Sequence, residues 1–306
     1  MTTPVHVGLR PPRARFEGGT ATLHAYVEQV VAAGLDHLCV GDHVSFRGGH
    51  GYDGLVQATA LAMLSPLPVH TSVYLLALRH PVAVARQLSS LAQLAPGRVV
   101  LGVGLGGDDR HEFEVLGLDP ATRGRRMDEC LTVLRALLAG ETVDFDGDHV
   151  ALHDARVLPT PPMAVPVLVG GRSEAALRRA ALLSDGWLGV FVDAPRWGGA
   201  RRRVEELAAT AGRDPAPAQH GLAVWCGFAD TGPDATRLLG AEMESLYARP
   251  FADFARYAPC GTPDIVAAAL APYAAEGCTT FNLIPVAATD AAAIEGCAAV
   301  RAALRA

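Results

Sequence analysis

Lysine is absent from this chain: every one of its 26 basic residues is arginine. Without a side-chain amine there is no Schiff-base aldolase chemistry, no lysine-anchored pyridoxal phosphate and no phosphate-binding lysine of a P-loop. Basic tracts are missing as well, apart from Arg201-Arg202-Arg203, which sits beside Glu205 and Glu206 and reads as a solvated helix face. With a formal net charge of −6, this excludes the concentrated positive footprint that nucleic acid or an anionic membrane surface requires. Cysteine occurs without any CxxC pair, at 39, 130, 226, 260, 278 and 297. That scatter predicts buried free thiols rather than a disulfide frame or a zinc site. No apolar run approaches the roughly 18 residues of a membrane span, and MTTPVHVGLRPP carries no signal-like hydrophobic stretch, so a soluble cytoplasmic protein is expected.

What the chain does contain is alternation. Short β-rich apolar runs are separated by longer Ala/Leu/Arg stretches of helical period, the pattern of βα units on a parallel sheet. Strands are predicted at Val5–Leu9, His37–Val40, His70–Leu75, Val99–Gly104, Val165–Val169, Gly186–Phe191, Gly221–Gly227 and Thr279–Ile284. Helices are expected near 20–33, 53–65, 81–95, 121–139, 173–184, 195–211, 263–275 and 290–304, with an extra one at Ala235–Leu246. Eight strands with eight helices predict a closed (β/α)8 TIM barrel, an α/β fold, where an open doubly wound sheet would stop at about five or six strands. The stretch 142–152, centred on Asp146-Gly147, reads as a β-hairpin after the fourth helix, and the Pro-rich 158–166 leads back to the barrel.

Active sites of such barrels lie at the C-terminal strand ends. There the second strand is followed by Asp42, His43, Phe46 and His50, and the third by Arg79 and His80. The fourth leads into Gly102–Gly107 and then Asp108, Asp109, Arg110 and His111, the fifth into Gly170-Gly171-Arg172-Ser173. A neutral imidazole beside a carboxylate makes a proton donor or acceptor near neutral pH, which singles out His43. No HxxxH pair or paired carboxylate completes a metal-ligand set, so no metal is expected. GVGLGG satisfies GxGxxG at Gly102, Gly104 and Gly107, yet it opens into a loop rather than a helix. What survives of a dinucleotide fingerprint is close ligand approach to bare backbone. Gly170, Gly171, Arg172 and a capping Ser173 at a helix start suit an anion held without lysine.

Five segments, in order, carry a resemblance: LDHLCVGDHV (35–44), the run from His70 to Gly107, EFEVLGLDPATRGRRMDEC onward to 152, VPVLVGGRSEAALRRAALLSDGW (165–187) and CGTPDIVAAALAPYAAEGCTTFNLIP (260–285). Together they resemble the luciferase-like monooxygenase superfamily, in its branch of deazaflavin (coenzyme F420)-dependent oxidoreductases. The resemblance implies a single barrel domain over 1–306 with insertions near 107–119, 142–162 and 230–258, a small-molecule substrate and a homodimer. It implies that Asp42 helps to bind the cofactor ring while His43 lies by its reactive carbon as acid/base. It also implies a non-proline cis peptide at Ser72-Val73 behind the ring. Gly104, Gly106, Gly107, Gly170, Gly171 and Arg172 are implied as contacts of the cofactor tail, and Phe46, His50, His80 and His111 would line the substrate pocket. Two departures stand out: sugar-phosphate dehydrogenases of this superfamily place a glutamate where this chain has Gly107, and they hold the substrate phosphate with lysines. A smaller, uncharged substrate is expected instead. A reduced-FMN monooxygenase on the same fold and a non-catalytic flavin- or deazaflavin-binding protein are the alternative readings.

Overall fold

In a computed structural model of the chain, residues 4–106, 109–213 and 219–306 are described. Its strands are β1 (His6–Leu9), β2 (His37–Val40), β3 (Val69–Tyr74), β4 (Val99–Val103), β5 (Val143–Asp146), β6 (Ala151–Ala155), β7 (Val167–Gly170), β8 (Gly186–Val190), β9 (Gln219–Phe228), β10 (Cys260–Gly261) and β11 (Thr280–Val286). One sheet runs in the order β10-β9-β11-β1-β2-β3-β4-β7-β8, and β8 also pairs with β9. That return closes eight parallel strands into a (β/α)8 barrel, with the two-residue β10 as an extra edge. The expected strands fall within two residues of the observed ends.

The chain gathers into two compact units, residues 1–39 with 187–306, and residues 40–186. In the first, β1 pairs with β11 in the register Gly8↔Asn282 and with β2 in the register Gly8↔His37. Closeness here depends on Gly8: a Cβ would lie 2.3 Å from His37 Cδ2. His37 is buried, and its Nε2 stands 2.7 Å from Asn282 Oδ1. Burial pushes the His37 imidazole down to about 4, with Asn282 pulling the other way. Asp36, just ahead of β2, accepts from the Val7 amide at 2.8 Å and from Arg301 and Arg305.

The second unit repeats this device. Asp185, just ahead of β8, accepts from the Val167 amide at the start of β7 and from Arg135. Both aspartates satisfy strand-end N–H groups that a parallel ladder leaves over. Helix starts are set by the side chains the sequence offers. Asp53 accepts from the Leu55 and Val56 amides at the head of Gly54–Leu64, and Ser173 accepts from Ala176 N at the head of Glu174–Leu183. In Arg123–Leu138, Met127, Cys130, Leu131, Leu134 and Leu137 are buried at helical spacing on the barrel-facing side.

β5 and β6 pair antiparallel, as the hairpin reading expects, but Gly147–Val150 form a longer turn than the Asp-Gly dipeptide implies. Glu129 is the cause: its carboxylate accepts from the amides of Asp148, His149 and Val150. The helix expected near 20–33 is observed at Gly19–Ala32, and a short helix, Arg13–Glu17, precedes it. All six cysteines are free, and all but Cys260 are buried. Arg201, Arg202 and Arg203 pair with Glu205, Glu276 and Glu206. Among the described residues no helix is long and apolar enough to cross a membrane.

Candidate active site

The residues singled out at the C-terminal strand ends lie within the unit 40–186. Asp42 and His43 follow β2 directly, and adjacent positions send their side chains to opposite partners. Asp42 is buried, and its carboxylate accepts from the Gly54 amide (2.8 Å), the Leu75 amide (2.8 Å) and both terminal nitrogens of Arg79 (2.5 and 2.8 Å). Burial pushes this carboxyl above its ordinary range, with Arg79 and the two amides pulling against it. Arg79 is itself held by Asp53 at 3.0 Å and lies over the Tyr74 ring at 4.4 Å. Asp42 thus organises the strand ends around Arg79.

The carboxylate that meets His43 is a different one. His43 Nδ1 stands 3.1 Å from Glu112 Oε2, across 69 residues of sequence. Glu112 Oε1 accepts from the Val44 amide at 2.8 Å and the Ser45 amide at 3.3 Å. Burial pushes the Glu112 carboxyl up, but the His43 bond and these amides outweigh it and hold it below its ordinary value. Glu112 belongs to the short helix His111–Glu114, anchored by the buried Phe113 beside it. Phe46 is buried and stacks on the His43 ring with centroids 4.2 Å apart. The His43 side chain remains 32% exposed, so its ring is open to a ligand.

Around this pair the turn 43–52 is pinned at several points. Phe46 and His50 exchange backbone hydrogen bonds, His43 N donates to Tyr52 O, and Asp109 accepts from the Arg47 amide at 2.7 Å. The backbone of His50 thus helps to fix this turn. His80 is exposed at the head of Pro81–Leu94, and His111 pairs with Glu114 on its own helix at 3.4 Å.

β3 carries a cis peptide at Ser72-Val73, where its register against β4 shifts between Thr71 and Tyr74. Thr71 Oγ1 donates to Gly102 O at 2.7 Å and ties the two strands together. Gly104 must be glycine here, since a Cβ would fall 2.4 Å from Val73 Cγ2. Ser72 Oγ is buried without a hydrogen-bond partner, an orphaned polar atom at the strand end. Gly106 adopts φ +66 and Gly171 φ +127, both in the region that favours glycine. Gly170 and Gly171 lead from β7 through exposed Arg172 to the cap at Ser173. Gly107 and Asp108, the first of them expected as a cofactor contact, lie outside the described residues.

Sequence reasoning passed over Glu112, although EFEVLG was part of the resemblance. The only local signal was a glutamate followed by a core phenylalanine just past a glycine loop. Arg79 follows β3, where the sequence puts it, and its pairing with Asp42 leaves no local pattern.

A parallel β/α barrel with a carboxylate-held histidine just past its second strand defines the class: a (β/α)8 barrel with its polar cluster at the C-terminal strand ends. The family follows from the sequence comparison. Residues 6–274 match the luciferase-like monooxygenase family, and the chain belongs to it. It is 31% identical over 196 residues to an F420-dependent glucose-6-phosphate dehydrogenase of Microbacterium testaceum, a match covering 61% of this chain and 57% of that one. The chain spans about half the length of the curated relatives it matches. In fold it is similar to an F420-dependent secondary alcohol dehydrogenase solved with an F420-acetone adduct, at TM-score 0.85 and 20% identity, with 100% of both chains covered. It is also similar to the FMN-bound oxygenating constituent of 3,6-diketocamphane monooxygenase from Pseudomonas putida, at TM-score 0.77 and 17% identity, with 98% of both chains covered.

Proposed function

We propose that the chain is an oxidoreductase that uses coenzyme F420 for hydride transfer to or from a small organic substrate, with His43 moving the accompanying proton. The observation that carries this reading is His43 itself, partly exposed beyond β2, backed by Phe46 and held at Nδ1 by buried Glu112. Similarity to F420-dependent relatives supports the deazaflavin.

The residues present fit such a cofactor. Ser72 Oγ offers a buried polar atom with no partner of its own, and Gly104, lacking a Cβ, lets the Val73 side chain seat against β4 beside it. In this reading Ser72, Val73, Gly104 and Gly106 contact the ring and the start of the tail, with Asp42 holding the strand ends beneath. Gly170, Gly171 and Arg172 hold the phosphate by backbone amides and a guanidinium, as a chain without lysine requires. Bound deazaflavin supplies two-electron hydride chemistry. The protein positions the substrate carbon, excludes water with the pinned turn 43–52, and takes up or releases the proton on the imidazole of His43. The same reading takes residues 1–306 as one catalytic barrel domain of a cytoplasmic homodimer.

A second reading, a reduced-FMN monooxygenase, is favoured by the fold similarity to the FMN-bound Pseudomonas protein. Titrating the purified protein with F420 and with FMN, followed by fluorescence, separates the two. The first reading predicts saturable F420 binding; tight FMN binding with no F420 binding overturns it.

A further inference from the structure

We propose that Glu112 is a positioning residue for His43: it holds the imidazole in the form protonated at Nδ1 and leaves Nε2 as the atom that accepts the substrate's proton. The inference rests on the reading of His43 as the proton-transfer group, and goes beyond it by assigning which nitrogen works and what fixes it. Glu112 had no role in the sequence reading, and nothing in the resemblance gives it one.

Glu112 is almost wholly buried, with its side chain 3% exposed, and it meets three nitrogen atoms: His43 Nδ1, Val44 N and Ser45 N. The two backbone amides are obligatory donors, and both point at Oε1. A carboxylate only accepts, so the contact at Oε2 requires a hydrogen on His43 Nδ1. Hydrogen bonds from these donors keep the carboxyl ionised at neutral pH in spite of its burial. A neutral imidazole with hydrogen on Nδ1 has its lone pair on Nε2. When Nε2 takes a proton, the Nδ1–H of the cation that forms still donates to the Glu112 carboxylate, 3.1 Å away.

The geometry ties two loops together through one side chain. Phe113 seats the short helix in the core, Glu112 reaches from it to the turn after β2, and Phe46 covers the imidazole from one side. With Nδ1 engaged by Glu112 and Phe46 stacked on one face, Nε2 is directed away from Glu112 by the shape of the imidazole. A purely structural role, tying Val44 and Ser45 to the short helix, needs only Oε1. The contact from Oε2 to His43 is what that role leaves unexplained.

Glu112→Gln separates the two roles. Its amide oxygen can still accept from Val44 and Ser45, while its NH2 group faces Nδ1 and calls for a lone pair there, which moves the imidazole hydrogen to Nε2. The experiment is NMR of protein labelled with nitrogen-15 histidine at neutral pH, with the His43 signals assigned by their loss in His43→Asn. The expected result is hydrogen on Nδ1 in the wild type and on Nε2 in Glu112→Gln. Hydrogen on Nε2 in the wild type, or an unchanged form in the variant, overturns the proposal. The wild-type spectrum decides the first point even if the variant does not fold. A kinetic arm then reads kcat/KM, expected to fall about 10²-fold in Glu112→Gln with cofactor affinity and Tm retained. An equal kcat/KM overturns the positioning role. Because the NMR arm needs no cofactor, its failure is distinguishable from failure of the F420 reading, which the cofactor titration alone decides.

Discussion

His43 Nδ1 and Glu112 Oε2 lie 3.1 Å apart although 69 residues separate them in sequence, and this contact orients the imidazole at the end of β2. It replaces the Asp42–His43 partnership that adjacency suggests, since Asp42 spends its carboxylate on Arg79 and two amides. For His43→Asn we expect kcat to fall by about 10²- to 10⁴-fold while cofactor affinity changes little, as befits loss of a general acid/base. Steady-state kinetics beside a binding titration test this, and unchanged turnover removes His43 from the chemistry.

Arg79 is the only side-chain cation that contacts Asp42 among the described hydrogen bonds, and Asp42 is fully enclosed. Removing one member of a buried pair leaves a charge without its counter-ion, at a cost of about 3–5 kcal/mol. Arg79→Met should lower stability by that order in denaturant unfolding. Arg79→Lys should lose less, because it keeps the charge and forfeits the planar fork. Wild-type stability in Arg79→Met would mean that the two amides suffice for Asp42.

Two glycines should respond in opposite directions to alanine. In Gly104→Ala the new methyl meets the stiff, β-branched Val73 at 2.4 Å, so a cost of about 1–3 kcal/mol and weakened cofactor binding are expected. In Gly199→Ala, exposed within the helix Ala194–Thr210 and with no atom within 4 Å of the added Cβ, a gain of about 0.5–1 kcal/mol is expected. Paired unfolding curves read both.

His37 gives the fold a pH dependence of known sign. Its ordinary value is 6.5, and burial lowers it to about 4 in the folded chain. Between those values the unfolded chain binds a proton that the folded chain does not, so stability is intact above 6.5 and falls as the pH drops toward 4. The loss amounts to about 3 kcal/mol from this group. His37→Gln, which does not titrate, should flatten the stability profile across that interval; an unaltered slope would assign the dependence to other groups.

The barrel was legible because its strands are short β-branched runs set between helical repeats, and both periods are local properties. Local signals also gave Asp53 and Ser173 as helix starts, and the glycines that end β4 and β7. The helix Arg13–Glu17 is not legible, since five residues between Pro12 and Gly18 are too few to show a helical period. The hairpin turn escaped for another reason: Glu129, on a preceding helix, decides its length. Glu112 is the clearest case. Its partner is chosen by tertiary packing of Phe113 and by the direction of the turn after β2, and neither leaves a pattern in the nearby residues. Family resemblance supplied the cis peptide at Ser72-Val73, which no propensity would have indicated.

F420-linked turnover through His43 is read out by the visible absorbance of F420 under anaerobic conditions. Wild type and His43→Asn, each with bound F420, are mixed with a panel of small uncharged alcohols and, with reduced F420, of ketones. The account predicts F420 reduction or reoxidation on at least one substrate by the wild type, and its near-complete loss in His43→Asn with F420 still bound. Absence of F420 turnover across the panel, together with oxygen consumption when reduced FMN is supplied, would contradict it.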